Sequence, residues 1–252
     1  MSLFSIIQNT ADVIGIKRPA YVFGNSDSGA RTLLAMANQL GRNLAKMRSS
    51  GDGGWAELNK AHIIVTLPGE TRYPLPDDYY GLIKRTAWSV NEYAELDDPL
   101  SQADWAYHQN AIGRLSIYPR FRIAADASGK YIDISPVPGG GDTISFGYIS
   151  KNWVLGPEAD GTRPARDKFA TDVDDPVFDE NLMELGLIAT YVQRRGLPFA
   201  YELAAFEEMR SMLLANSTGL RDIPLGYDRR HGWGRGRYGV LGTPTVRIAA
   251  GS

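Results

Sequence analysis

Gly234-Arg235-Gly236-Arg237-Tyr238-Gly239 has the G-x-G-x-x-G spacing of a loop that brings backbone close to a dinucleotide's phosphates. That chemistry needs a strand before the loop and a helix after it, so that the phosphates meet a helix N-terminus. Here the flanks are a glycine-rich basic stretch and Gly242-Thr243-Pro244. The match is read as chance. Asp172, Asp174 and Asp175 suggest a calcium loop. Counting from Asp172, however, the sixth residue is Val177 and the twelfth Met183, where an EF-hand needs glycine and glutamate. A solvated acidic loop is expected instead, with Asp179 or a neighbour starting the next helix. Asp77-Asp78 and Asp97-Asp98 carry the same reading, since paired carboxylates do acid–base work only across a cleft.

His62, His108 and His231 show no i,i+4 pairing and no H-E-x-x-H arrangement, so no metal site is expected. His62, at the start of a strand, reads as structural. There is no G-x-S-x-G elbow and no phosphate-binding G-x-x-x-x-G-K-[ST]. A Ser/His/Asp triad is a spatial object and stays open. With no cysteine there is no disulfide and no thiolate nucleophile. Asn216-Ser217-Thr218 is a formal glycosylation sequon, but Met1 to Thr10 lacks the basic and apolar regions of a signal peptide. No catalytic residue and no cofactor is expected.

Asp222 to Ser252 is unlike the rest of the chain. Seven of its 31 residues are glycine, and its charges are five arginines against two aspartates, on a chain whose net charge is −2. Tyr227, Arg229, Arg230, Trp233, Arg235, Arg237, Tyr238 and Arg247 make it basic and sticky. Such a segment gains little by burying itself and much by docking. Phosphates or a protein surface would serve as partner, and the acidic total argues mildly against nucleic acid. Pro68 to Ile112, by contrast, has eight acidic and three basic residues. One acidic region and one basic tail suit contact between unlike surfaces.

The elements that must carry these residues follow from periodicity. Phe4, Ile7, Val13 and Ile14 sit on a short amphipathic helix. Ser26 and Asp27 offer caps to a second helix striped by Leu33, Ala37, Leu40, Leu44 and Met47, which ends in Ser49–Gly54. His62–Leu67, Arg120–Ile123, Tyr131–Ile134 and Thr143–Ile149 read as strands, with a turn at Gly69-Glu70 and a hairpin over Ala127–Lys130. A polar helical excursion is expected near 82 to 112. Leu182, Leu185, Ile188, Ala189 and Val192 stripe a third helix that closes at Gly196 and Pro198. Leu203, Phe206, Met209 and Leu213 stripe a fourth, with Glu202, Glu207, Glu208 and Arg210 on its wet side. The expected class is α+β: an antiparallel helical bundle from the N- and C-terminal helix pairs, an inserted small antiparallel β domain, and an extended C-terminal arm. The parts are 1–54 and 157–221 for the bundle, 55–156 for the β-rich insert, and 222–252 for the arm. No window is apolar enough to span a membrane.

An ordered series of segments carries a resemblance. Tyr73-Pro74-Leu75-Pro76-Asp77-Asp78-Tyr79 precedes Arg85-Thr86-Ala87-Trp88 and Arg120-Phe121-Arg122-Ile123. Then come Gly141 to Trp153, Phe178 to Met183 leading into Leu185–Ile188, and Tyr201-Glu202 to Phe206-Glu207. Over roughly residues 3–220 this resembles the head-to-tail adaptors of tailed phages, neck proteins related to the tail tubular protein A of short-tailed phages. The resemblance implies a non-enzymatic virion protein, assembled in the host cytoplasm. It implies a dodecameric ring docked under the portal protein ring, receiving a tail or nozzle protein, with genomic DNA passing through without sequence-specific binding. The C-terminal arm would then reach the portal or clasp a neighbouring subunit. A tail-completion or stopper protein is the alternative, and an unrecognised hydrolase using carboxylates of the β insert is a lower one.

Overall fold

The computed structural model describes residues 2–47, 54–91, 94–97, 99–110 and 119–217. Met1–Gly219 groups as one compact unit, and the second unit, Leu220–Ser252, falls outside the described residues. The class is mixed α+β. Helix α1 (Leu3–Val13) buries Leu3, Ile6, Ile7, Thr10 and Ala11. Val13, expected on that stripe, is 68% exposed. The stripe is centred on Leu3, Ile7, Thr10 and Ile14, which leaves Val13 at its edge in the last turn.

Helix α2 (Ser28–Lys46) starts where expected, with the Asp27 carboxylate accepting from the Ala30 amide at 3.4 Å. Its stripe of Leu33, Ala37, Leu40 and Leu44 is buried. The segment expected to end it lies outside the described residues from 48 to 53.

After a single 3-10 turn (Ala56–Leu58), the chain changes period. Strands β1 (Asn59–Val65), β3 (Tyr79–Leu82), β4 (Trp88–Ser89), β5 (Ala94–Glu95) and β8 (Thr143–Ser150) form one antiparallel sheet, ordered β1-β8-β4-β5 with β3 also on β8. Strands β2 (Arg72–Pro74), β7 (Gly129–Ser135) and β6 (Arg120–Asp126) form a second, ordered β2-β7-β6. The β6–β7 turn is tighter than expected: Asp126 pairs with Gly129, which takes φ +128, a conformation glycine tolerates. The helical excursion shrinks to α3 (Gln102–Asn110). Residues 82 to 101, polar enough to read as helix, instead contribute β4 and β5. There Trp88 and Ser89 meet Ser145 and Ile144, so β8 supplies the partners that a helix would have made internally.

A third sheet of two-residue strands, β10 (Ala165–Arg166), β9 (Val154–Leu155) and β11 (Asp175–Pro176), precedes α4 (Glu180–Arg194) and α5 (Ala200–Ser217). Asp179 caps α4 as expected, accepting from the Leu182 amide at 3.2 Å, and Gly196 at φ +70 turns the chain out of it.

One core joins α1, α2, α4 and Phe206 of α5 to Trp55, Ile149 and Trp153. The other lies in the sheets, around Phe121, Ile132, Ile144 and Phe146. The first depends on two close approaches. A Cβ on Gly41 would meet the Trp153 ring at 2.1 Å, and one on Gly186 would meet Leu40 at 2.6 Å and Phe206 at 2.9 Å. The second of these rotates α4 away from its expected stripe. Leu182, Met183, Gly186, Leu187 and Ala189 are buried, whereas Leu185, Ile188 and Val192 are half-buried. On α5, Leu203 is 36% exposed and only Phe206 of its expected stripe is fully buried, with Met209 and Leu213 half-buried.

The loop expected to be solvated is a latch. Asp174 is 0% exposed and accepts from the Ala170 amide at 2.6 Å, the Thr171 amide at 2.9 Å and the Thr171 hydroxyl at 2.6 Å. Asp172 accepts from the Val22 and Phe23 amides at 3.1 and 2.9 Å. The carbonyls of Asp174 and Asp172 receive the Leu3 and Phe4 amides at the start of α1. These carboxylates replace water with backbone donors, which is why composition alone misplaces them. Burial pushes Asp174 up, but the Thr171 hydroxyl, the two amides and Arg166 outweigh it and hold the group below the ordinary carboxylate range.

Candidate docking surfaces

Tyr227, Arg229, Arg230, Trp233, Arg235, Arg237, Tyr238 and Arg247, the residues singled out from sequence as a docking arm, all lie outside the described residues. His231 does too. The body of the protein therefore supplies the geometry.

Its polar clusters are engaged with one another. Asp133, 6% exposed on β7, receives Arg72 Nε at 3.1 Å and Arg122 Nε and Nη2 at 2.9 and 2.8 Å. Arg72 lies over the Tyr131 ring at 3.8 Å, and Arg122 over Trp105 at 5.0 Å. A carboxylate held by two guanidiniums is a poor base, because protonating it would forfeit both.

Asp78, expected in solvent, is instead gripped by Lys60 at 2.6 Å, the Ser150 hydroxyl at 2.7 Å and the Tyr148 hydroxyl at 2.9 Å. Burial pushes its pKa up, yet those donors win and leave it below the usual range. Tyr148 is pushed up to about 12, by burial first and by its bond to Asp78 second. His62 packs edge-on to Phe146, and burial lowers its pKa against the pull of Asp78. Asp97 ion-pairs with Arg120.

One hydroxyl–imidazole contact is worth testing as chemistry. His108 Nε2 is 3.2 Å from Ser135 Oγ, beside a cavity of about 690 Å³ lined by Arg72, Trp105 and Asp133. The residue after Ser135 is Pro136, which has no N–H. The backbone donor that commonly receives the oxyanion next to a nucleophilic serine is therefore missing. The cluster fits a packed polar seam better than an acyl-transfer site. Among the described residues, no group of three or more His, Asp or Glu side chains could hold a metal ion.

The surface is more informative. On β1, Ile63 is 62% exposed and Val65 58%, while Ile64 between them is buried. Ile63 and Trp88 both pair with Ser145, so they flank it on one face of the sheet, with Trp88 40% exposed. On α5, Tyr201 is 83% and Met212 52% exposed. Apolar side chains grouped on a surface in this way mark places where another molecule binds. The signal was present in the run His62–Leu67, whose successive apolar residues give the strand two apolar faces, only one of which the core can use.

A molecule with engaged polar clusters and open apolar faces is built to be a part of something larger. A family model described as SU10 adaptor protein matches residues 1–235. The chain belongs to the SU10 adaptor protein family. Membership agrees with the phage-adaptor resemblance carried by the segments from Tyr73 to Glu207. As an SU10 adaptor family member the chain is matched through Tyr227, Arg229, Arg230, Trp233 and Arg235 of the arm, while Arg237, Tyr238 and Arg247 fall beyond the match. No curated protein matches the chain. Among the described residues, no helix of this family member is long and apolar enough to cross a membrane.

Proposed function

We propose that this chain is the head-to-tail adaptor of a phage neck, a structural ring that docks on the portal protein and receives the tail or nozzle. The family match over residues 1–235 carries the reading. The exposed apolar surfaces on β1, β4 and α5 support it, because a ring subunit must cover faces that an isolated subunit leaves wet. The ring is a dodecamer that extends the DNA channel, and DNA passes through it without base-specific contacts. The α-helices pack as an antiparallel bundle that carries the β sheets, and kinship reaches to the tail tubular protein A of short-tailed phages.

The basic arm from Asp222 to Ser252 docks on the portal through Tyr227, Arg229, Arg230, Trp233, Arg235, Arg237, Tyr238 and Arg247. Ordering 31 residues costs entropy that only a large partner surface offsets. Mass photometry of the protein mixed with its portal ring, with and without residues 222–252, tests both claims. Stoichiometric binding that vanishes on truncation, and weakens with Arg235→Ala plus Arg237→Ala, is the expected result. Full-length protein that ignores the portal would reject the adaptor reading.

A further inference from the structure

Beside α2 the surface opens into a slot of about 210 Å³, with Trp153 and Tyr80 in its wall. Arg42 and Lys46, one helical turn apart on α2, stand on its rim with Lys151, which follows β8. Asp167 is the one carboxylate lining it. Among the described residues, neither Arg42, Lys46 nor Lys151 makes an ion pair. Aromatic walls under an unneutralised cationic rim call for a bulky apolar side chain that brings carboxylates with it.

The same chain presents such a group elsewhere. Trp88 and Val90, 40% and 47% exposed, project from the β4 region. From Thr86 to Gly113 the sequence contains no Lys or Arg, but it contains Glu92, Glu95, Asp97, Asp98 and Asp104. Glu95 and Asp97 are partly neutralised by Arg85 and Arg120, and Asp104 bonds Ser101. Trp88 pairs with Ser145 near the start of β8, while Lys151 follows its end. Six residues of strand separate the two sites by about 20 Å, so Trp88 cannot fill the slot of its own subunit.

We propose that the slot receives Trp88 and Val90 of a second copy of this chain, with the acidic segment after them lying along the Arg42, Lys46 and Lys151 rim. Two unlike patches at opposite ends of one strand make a heterologous contact, which closes into a ring when the rotation permits. The inference therefore rests on the adaptor reading and specifies one of its subunit contacts. The chain's own basic arm is excluded as occupant by like charge. A nucleic-acid backbone would satisfy the cations but leave the Trp153 and Tyr80 walls unfilled.

The absence of native cysteine makes the test clean. Full-length protein carrying Lys46→Cys and Val90→Cys, assembled on its portal ring and treated with a short bis-maleimide, should give a ladder of covalent multimers. Either single variant should give no ladder beyond the dimer. Trp88→Ala should weaken self-association at least about tenfold, as loss of a central aromatic anchor does. Lys46→Glu should weaken it as well, and Glu92→Lys should restore much of that loss.

Portal-bound rings that form without a 46–90 ladder would overturn this contact and leave the adaptor reading intact. Wild-type protein that forms no ring on the portal would overturn both. If Lys46→Glu abolished binding to duplex DNA while self-association stayed unchanged, the slot would be a phosphate site and the proposal wrong.

Discussion

Helices α4 and α5 pack against each other and have similar lengths, 15 and 18 residues, yet they stand in different physical situations. α4 contacts α1, α2 and α5 and buries five side chains along its length. α5 has apolar residues nearly all round, buries only Phe206 fully, and leaves Tyr201 and Met212 in solvent. A helix that is apolar on every side belongs inside something. In one subunit α4 is inside and α5 is half outside. The difference marks α5 as a layer whose second partner comes from assembly, whereas α4 is complete in the subunit.

The strongest way to break the contrast is to spoil the inner helix. A Cβ on Gly186 would lie 2.6 Å from Leu40 and 2.9 Å from Phe206, and a branched side chain would force both away. Gly186→Val should cost about 3 kcal/mol or more, the scale of overpacking in a well-filled core. On a chain of this size that lowers Tm by about 6–12 °C. A thermal melt unchanged within 2 °C would mean α4 is not held closely against α2.

Next in size is the single anchor of the outer helix. Phe206→Ala removes the buried ring that lies against Gly186 and should cost about 3 kcal/mol. Hydrogen exchange should then quicken in α5 before it does in α4, since one anchor holds the former and five buried residues the latter. Simultaneous loss of protection in both helices would show that they open as one unit and would erase the distinction between them.

The inner region also has a polar fastening that the outer helix lacks. Asp174→Ala would strand the Ala170 and Thr171 amides and should cost about 2 kcal/mol at neutral pH. Because the folded carboxyl sits below its ordinary pKa, its contribution is full above the unfolded value near ~4 and fades as pH falls through the folded one. The stability gap between wild type and variant should therefore narrow as a urea series moves from pH 7 to pH 3. A gap that widens toward acid would refute the assignment.

How much of this could be read in advance depends on what each feature is made of. The Leu33, Ala37, Leu40 and Leu44 stripe and the Asp27 and Asp179 caps were legible because they are local: spacing and residue type decide them. The strands around Ile132 and Ile144 were legible for the same reason. The rotation of α4 was not, because Gly186 registers as an empty position in a pattern of side chains, when its emptiness is what lets Leu40 and Phe206 in. Asp174 was misplaced because a carboxylate's surroundings depend on which distant amides fold around it. The short strand Trp88–Ser89 was missed because its partners come from β8, more than fifty residues away in the chain. Of the docking residues, the arm was visible as composition alone, while the slot at Arg42, Lys46 and Lys151 needs three segments brought together.

The smallest expected effect is the most telling for the comparison. Tyr201→Ser with Met212→Ser changes two side chains that are 83% and 52% exposed, so the isolated protein should lose no more than about 0.5 kcal/mol. The same double variant should assemble on the portal detectably less well, because the apolar area it removes is covered only between molecules. Thermal melts on the free chain and mass photometry on the assembled ring read the two quantities separately. A drop in both would mean α5 packs more tightly within the subunit than its exposure implies. A change in neither would mean that its outer face meets only water in the ring, and the partner that α5 lacks would have to be sought on the exposed face of β1 and β4.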